Sequence, residues 1–348
     1  MKLRVLISLF LFAVVAPSTL SAKPTAEFLE LSPGQVVRID FQAPKPGQPT
    51  FLMWPGVNRG LSLEEPAALA LSKAGYGVAS FNFSVQPMSL VGLGQDVRPA
   101  FYQKEVTLST LAKEATLVQR WVRAQASVTR VIPVSLSYTG AVSFFMKSEE
   151  MIADVSPMTS MAAHNPQLET YRQMLKGGEL FNPIFGPAIT RQMLDQAYFT
   201  VWAPQVEAIT RQFALPQDRR SQMIDGYTQL SRASEGFDWI TEAGEPRNSR
   251  VFVLAEKEAP VLQRHQLQTI LSRRAKGIQD KVVWVEGAGH VIPADRPTAY
   301  AEILASLADR SLPDVTLVPN DQKEAIELNG RPALSWLESQ ISLGQSGR

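Results

Sequence analysis

The sequence predicts an α/β protein: a mainly parallel sheet with helices on both faces and a helical cap inserted between two strands. Three observations carry this. Short β-branched runs such as Val131–Val134, Val251–Leu254 and Lys281–Val285 alternate with longer amphipathic stretches. Between about Ser156 and Ile240 the alternation stops, and helix-like pieces broken by Pro166, Gly177-Gly178, Pro183, Pro187 and Pro216 take over. Finally, Ser137, Glu258 and His290 each follow a strand, and open α/β sheets bind ligands outside the carboxyl ends of their strands.

A chain of 348 residues can bury one large α/β core with an inserted subdomain. The expected division is a signal peptide over 1–22, a core over 23–155 and 241–311, a cap over 156–240 and a C-terminal extension over 312–348. The leader is read from Lys2 and Arg4, the apolar run Val5–Val15, then Pro17 and the small residues Ser18, Thr19, Ser21 and Ala22. The apolar run is too short to span a bilayer comfortably. Export to a periplasm or exterior is therefore expected, with cleavage near Ser21 or Ala22 and no membrane span in the mature protein. Losing Lys2 and Arg4 takes 34 basic residues to 32 against 33 acidic, a net charge of −1. Near-neutrality without a basic run argues against nucleic acid as partner. The chain has no cysteine, which removes disulfides, a thiol nucleophile and thiolate metal ligands. Nothing in the sequence sets an oligomeric state.

Along the chain, Glu27–Leu31 and Gln35–Phe41 flank the turn Ser32-Pro-Gly34 and read as an antiparallel hairpin. Thr50–Trp54 is an apolar strand leading into the turn-rich loop Pro55–Gly60. Ser62-Leu-Glu-Glu65 reads as a capping box opening a helix that stops at Gly75. Tyr76–Phe83 is a buried strand. Leu108, Leu111, Ala115, Val118 and Val122 keep a 3–4 spacing and define a long amphipathic helix. Val131–Leu136 runs as a strand into a bend at Ser137 and an apolar helix, with Met151–Val155 as the next strand. In the cap, Leu180, Phe181, Ile184, Phe185, Met193, Tyr198, Phe199, Val201 and Trp202 are expected mostly to form its own core, a minority lining a cavity above the sheet. Helices are expected over Val261–Lys276 and Asp295–Asp309, and a packed tail beyond Leu312.

A strand–turn–helix holds a serine hydroxyl clear of the sheet edge, with the following amide pointing into the same space. The usual form is G-x-S-x-G; here the glycine places carry Ser135 and Thr139, with Gly140 one position later. Such a serine needs a base within hydrogen-bond reach, and imidazole suits because its pKa lies near working pH. Of the three histidines, His164 begins the cap and His265 falls inside a helix; His290 alone follows a strand in a glycine-rich loop. An imidazole base needs a carboxylate to orient it. Glu258 is best placed, Glu256 is its rival, and Asp154 is a remote third.

The order Ser137, Glu258, His290, with Met53-Trp-Pro-Gly-Val57 after an early strand, the elbow Ser135–Gly140 and Gly287-Ala-Gly-His290, resembles the α/β-hydrolase superfamily from about Gln35 to Asp309. The resemblance implies Ser137 as nucleophile, His290 as base and Glu258 as acid, with the amides of Val57 and Tyr138 as the oxyanion hole. It also implies hydrolysis without cofactor. The sequence departs from the pattern at the elbow glycines, in glutamate for the commoner aspartate, and at Pro55, where a histidine is usual. Pro133, in an expected central strand, calls for a local bulge. The apolar cap and Trp54, an expected substrate contact, point to a small hydrophobic ester or lipid-like substrate. A peptidase on the same residues is the enzymatic alternative, and a non-catalytic binding protein with this fold is the other class. Three scattered histidines without cysteine offer no metal site, and the early strand–helix turn lacks G-x-G-x-x-G.

Overall fold

A computed structural model of the chain describes residues 25–32, 35–57, 61–86, 106–212, 217–309, 312–321 and 324–346. The expected signal peptide, 1–22, lies outside the described residues. Among the described residues ten strands form one sheet: β1 (Thr25–Ser32), β2 (Gln35–Gln42), β3 (Thr50–Met53), β4 (Gly77–Asn82), β5 (Val131–Leu136), β6 (Ala153–Val155), β7 (Val251–Ala255), β8 (Lys281–Val285), β9 (Val315–Val318) and β10 (Ile326–Leu328). Their spatial order is β1-β2-β4-β3-β5-β6-β7-β8-β9-β10. The run from β4 through β9 is parallel, while β1, β2 and β10 add antiparallel edges.

Side chains alternate across a strand, and the two faces carry separate cores. Phe51 and Met53 of β3 face α1 (Pro66–Ala74), α9 (Ile292–Asp295) and α10 (Pro297–Asp309). Leu52 and Trp54 face α2 (Leu108–Arg123), α3 (Thr139–Phe144), α8 (Pro260–Ala275) and α11 (Gly330–Ser346). Residues 312–348 thus contribute β9, β10 and α11 to the same sheet and core, with Trp336 edge-on to Trp284 at 5.3 Å. Among the described residues no helix is long and apolar enough to cross a membrane.

The insertion between β6 and β7 holds α4 (Met161–His164), α5 (Pro166–Glu179), α6 (Gly186–Gln212) and α7 (Gln217–Ala233). Its core is smaller than the sequence suggests. Tyr198 is buried, but Leu180 and Phe181 are 84% and 92% exposed, and Ile184, Phe185, Met193, Phe199 and Val201 also face solvent. Among the described residues, the apolar side chains of the turn between α5 and α6 are left exposed.

Two further expectations are corrected. Ser62 does not cap α1: its hydroxyl accepts from the Glu64 amide at 3.3 Å while Glu65 Oε1 accepts from the Ser62 amide at 3.2 Å, and the helix starts only at Pro66. Proline suits that first position because its missing N–H would lack a helical partner anyway. Gly75, at φ 102°, ends the helix as expected. No bulge accommodates Pro133, which stays in register with Leu52 of β3. The Thr50 and Trp54 amides donate to the carbonyls of Arg130 and Val134, so alternate residues of β5 turn to β3 and Pro133 turns away. On that other side pairing with β6 begins only at Val134. The donor that proline lacks is not needed there.

Beneath the bend after β5 lies a buried ionic cluster. Asp154 of β6 accepts from Ser135 at 2.6 Å, Ser143 at 2.7 Å and Arg250 at 3.0 Å. The Arg250 guanidinium also donates to the Ser143 carbonyl at 2.7 Å, joining α3 to the start of β7. Asp154 and Arg250 are 0% and 2% exposed. Leaving one partner of a buried pair uncompensated costs about 3–5 kcal/mol. Asp154→Ala is therefore expected to lower stability by about that amount in urea unfolding of the purified protein. A loss within the range of a surface pair, under about 1 kcal/mol, would remove this cluster as the anchor of the bend.

Candidate active site

Ser137 stands at the bend with φ 55°, in the left-handed region that L residues rarely adopt. Its amide donates to the Val155 carbonyl at 3.0 Å, and its own carbonyl accepts from Gly140 at 2.9 Å and Met158 at 2.8 Å. These bonds tie the bend to β6 and to the chain leaving it, and so hold a conformation that costs about 1–3 kcal/mol. The substituted glycine places are accounted for by their hydroxyls. Ser135 joins the Asp154 cluster, and Thr139 Oγ1 accepts from the Leu136 amide at 2.8 Å. The close approach that needs glycine falls at Gly140 instead, where a Cβ would come within 2.8 Å of Pro157 Cα.

His290 Nε2 lies 2.6 Å from Ser137 Oγ, and its Nδ1 lies 2.6 Å from Glu258 Oε2. Glu258 is 7% exposed, and its other oxygen accepts from the Ala259 amide at 2.8 Å. Each rival carboxylate is occupied elsewhere. Glu256 accepts from the Gly287 amide at 2.8 Å, bracing the loop that carries His290, and Asp154 lies in the cluster below. Asp295 accepts from the Gly289 amide at 2.8 Å on the loop's other side. His265 takes no part, since it bridges Thr159 at 2.9 Å and Asp238 at 3.0 Å.

Val57 and Ser137 line one cavity of about 270 Å³, with His290, Leu136 and Gly56. Among the described residues no protein acceptor takes the amide of Val57 or of Tyr138. Buried Gln86, which sequence reasoning missed, steadies the Val57 loop: its Nε2 donates to the carbonyls of Gly56 at 2.5 Å and Val57 at 3.0 Å, while its Oε1 accepts from Phe83 at 2.8 Å. The expected role of Trp54 is corrected. It is 1% exposed, packs in the core with α2 and α3, and lines neither this cavity nor the one beneath the cap. Its place as the residue following β3, opposite in face to Met53, turns it inward.

The other missed residue is His164, the last of α4. Its ring centroid lies 5.5 Å from that of His290, and it lines both the 270 Å³ cavity and a second one beneath the cap. Among the described residues its buried Nδ1 has no hydrogen-bond partner. Burial, then the nearby His290, push its pKa from 6.5 down to about 4, against a smaller opposing pull from Glu258. The ring is neutral at neutral pH. No motif marks it in the sequence; only the path of the cap back across the strand ends brings it here.

No family model and no curated protein matches the sequence. Solved structures do resemble the chain. An alpha/beta hydrolase from a Medee basin deep-sea metagenome library is 9% identical with a TM-score of 0.51, covering 82% of this chain and 98% of its own. A hydrolase from Pseudomonas aeruginosa, at 13% identity, has the same score and the same two coverages. The alpha/beta hydrolase GrgF from Penicillium, at 14%, also scores 0.51 and covers 82% of this chain and 97% of its own. The chain has the α/β-hydrolase fold.

The His164 ring yields a pH signature. Its folded pKa of about 4 lies below the ordinary 6.5, so between those values the unfolded chain binds the additional proton. Stability then falls as pH drops through that window. The loss from pH 6.5 to 4 is expected to be smaller in His164→Gln than in the natural protein, as read from urea midpoints. Equal losses would mean that the ring protonates freely in the folded state.

Proposed function

We propose that the protein is a serine hydrolase that cleaves a small ester through an acyl-enzyme, with Ser137 as nucleophile, His290 as base and Glu258 as the orienting acid. The observation that carries the reading is the unbroken contact from Ser137 Oγ through the two nitrogens of His290 to Glu258, 2.6 Å at each step. A hydroxyl, an imidazole and a buried carboxylate in that order suit acyl transfer as nucleophile, base and orienting acid.

In this mechanism Ser137 Oγ attacks the ester carbonyl while His290 Nε2 takes its proton. Glu258 holds the Nδ1 proton and stabilises the imidazolium. The oxyanion is received by the unengaged amides of Val57 and Tyr138, each such donor lowering the barrier by about 3 kcal/mol. Collapse breaks the bond to the alkoxide, which leaves with the proton from His290. Water, deprotonated by the same nitrogen, then releases the acid and restores Ser137. His164 stays uncharged beside this path, so it adds no positive charge against the forming imidazolium. We extend the proposal to export, on the residue order of positions 1–22 and the lack of cysteine.

The test is labelling of the purified protein with a fluorophosphonate, the adduct mapped by mass spectrometry. One adduct on Ser137 is expected, absent in Ser137→Ala and slowed at least ~10³-fold in His290→Ala. Glu258→Gln is expected to lower ester turnover by roughly 10²–10⁴-fold. Folded protein that takes no label would exclude an activated serine and leave a binding role.

A further inference from the structure

The two cavities share Val57 and His164 but differ in what else they touch. The larger holds Ser137 and His290, with Val291 and Pro293 beyond them. The smaller, about 70 Å³, touches neither of those two residues. It does touch Val57 and Tyr138, and beyond them Met158, Met161, Leu168 and Trp202. The catalytic chemistry assigns sides to this division. The leaving oxygen must lie against His290, which protonates it, whereas the carbonyl oxygen must lie against the two amides. A group that extends past those amides, away from His290, is the acyl chain.

The small cavity has an apolar interior despite several hydroxyls on its wall. Tyr138 Oη donates to the Leu230 carbonyl at 2.8 Å, and Tyr198 Oη donates to Glu235 at 2.7 Å. Ser231 Oγ accepts from Trp202 Nε1 at 2.9 Å, and Ser234 Oγ donates to the Ser231 carbonyl at 3.0 Å. Trp202 on its wall is stacked on Tyr227, with centroids 4.7 Å apart. The hydroxyls are engaged within the protein, so apart from His164 and Asn165 the lining offers the occupant apolar contact. A cavity of about 150 Å³ holds benzene, six carbons. At about 70 Å³ this one, which is partly open, shelters roughly half as many.

We propose that the cavity beneath the cap is an acyl subsite limited to short unbranched chains, acetyl to butyryl, and that the bulk of the substrate lies on the alcohol side, in the larger cavity. This rests on the serine-hydrolase reading above. It narrows the substrate class to short-chain acyl esters of larger alcohols and excludes long-chain acyl lipids.

The test is hydrolysis of p-nitrophenyl acetate, butyrate, hexanoate and octanoate, one leaving group throughout, alongside fluorophosphonate labelling of the same preparation. From acetate to butyrate, kcat/KM is expected to rise up to about fourfold per methylene, then to fall at least tenfold by octanoate. Leu168→Ala, which enlarges the cavity, is expected to raise the octanoate-to-butyrate ratio at least tenfold. Leu168→Trp is expected to lower the butyrate-to-acetate ratio by a similar factor. Octanoate cleaved as well as butyrate by protein that labels at Ser137 would overturn the acyl limit and leave the hydrolase reading intact. Ratios unmoved by either Leu168 variant would place the acyl chain elsewhere. Absence of label on Ser137 would instead remove the hydrolase reading, and the acyl subsite with it.

Discussion

One serine backbone bent into the left-handed region is the constraint on which the site depends. An L residue resists φ 55°, and Ser137 keeps it because hydrogen bonds to Val155, Gly140 and Met158 leave no relaxed alternative. That bend aims the hydroxyl at His290 and, among the described residues, leaves the Tyr138 amide without a protein acceptor. It also brings Gly140 against Pro157, so the residue able to tolerate close approach comes one place later than the usual motif puts it. Ser135 and Thr139 stand in the glycine places because their hydroxyls have partners there, which removes the penalty of burying a polar group.

The bend in turn rests on charges taken wholly out of water. Asp154 and Arg250 connect β6, α3 and β7, and Asp280 accepts both from the Arg250 amide at 2.9 Å and from Arg273 Nε at 2.6 Å. The two guanidinium carbons lie 5.1 and 5.8 Å from the centroid of the Trp239 ring, which offers each cation its face. A well-packed apolar core could be as stable as such a cluster. Its directional bonds, however, fix how strand, elbow helix and cap exit are placed relative to one another, which dispersion contacts do less sharply.

The cap combines an apolar tip in solvent with a tightly engaged underside. Tyr138, next to Ser137, is bonded to Leu230 of α7, so the cap and the bend share a hydrogen bond. Gly226 of α7 lies against the Val85 carbonyl, beside the Gln86 turn that steadies Val57. The same inserted helices therefore bear on both amides proposed to receive the oxyanion, and they bring His164 into the wall between the two cavities.

Strand alternation, helix spacing and the order of polar residues at strand ends were local properties, and they were enough to determine the parallel sheet, the inserted helices and the candidates Ser137, Glu258 and His290. They are legible because each expresses a period or a turn within a few residues. Tertiary structure alone decided among the carboxylates: Glu256 and Glu258 are two residues apart, and the loop geometry sends one to the Gly287 amide and the other to His290. It also turned Trp54 into the core, left the α5–α6 tip bare, and brought His164 and Gln86 to the site. These outcomes depend on contacts between segments far apart in the chain, whose meeting is set by the packing of the whole and not by any local pattern.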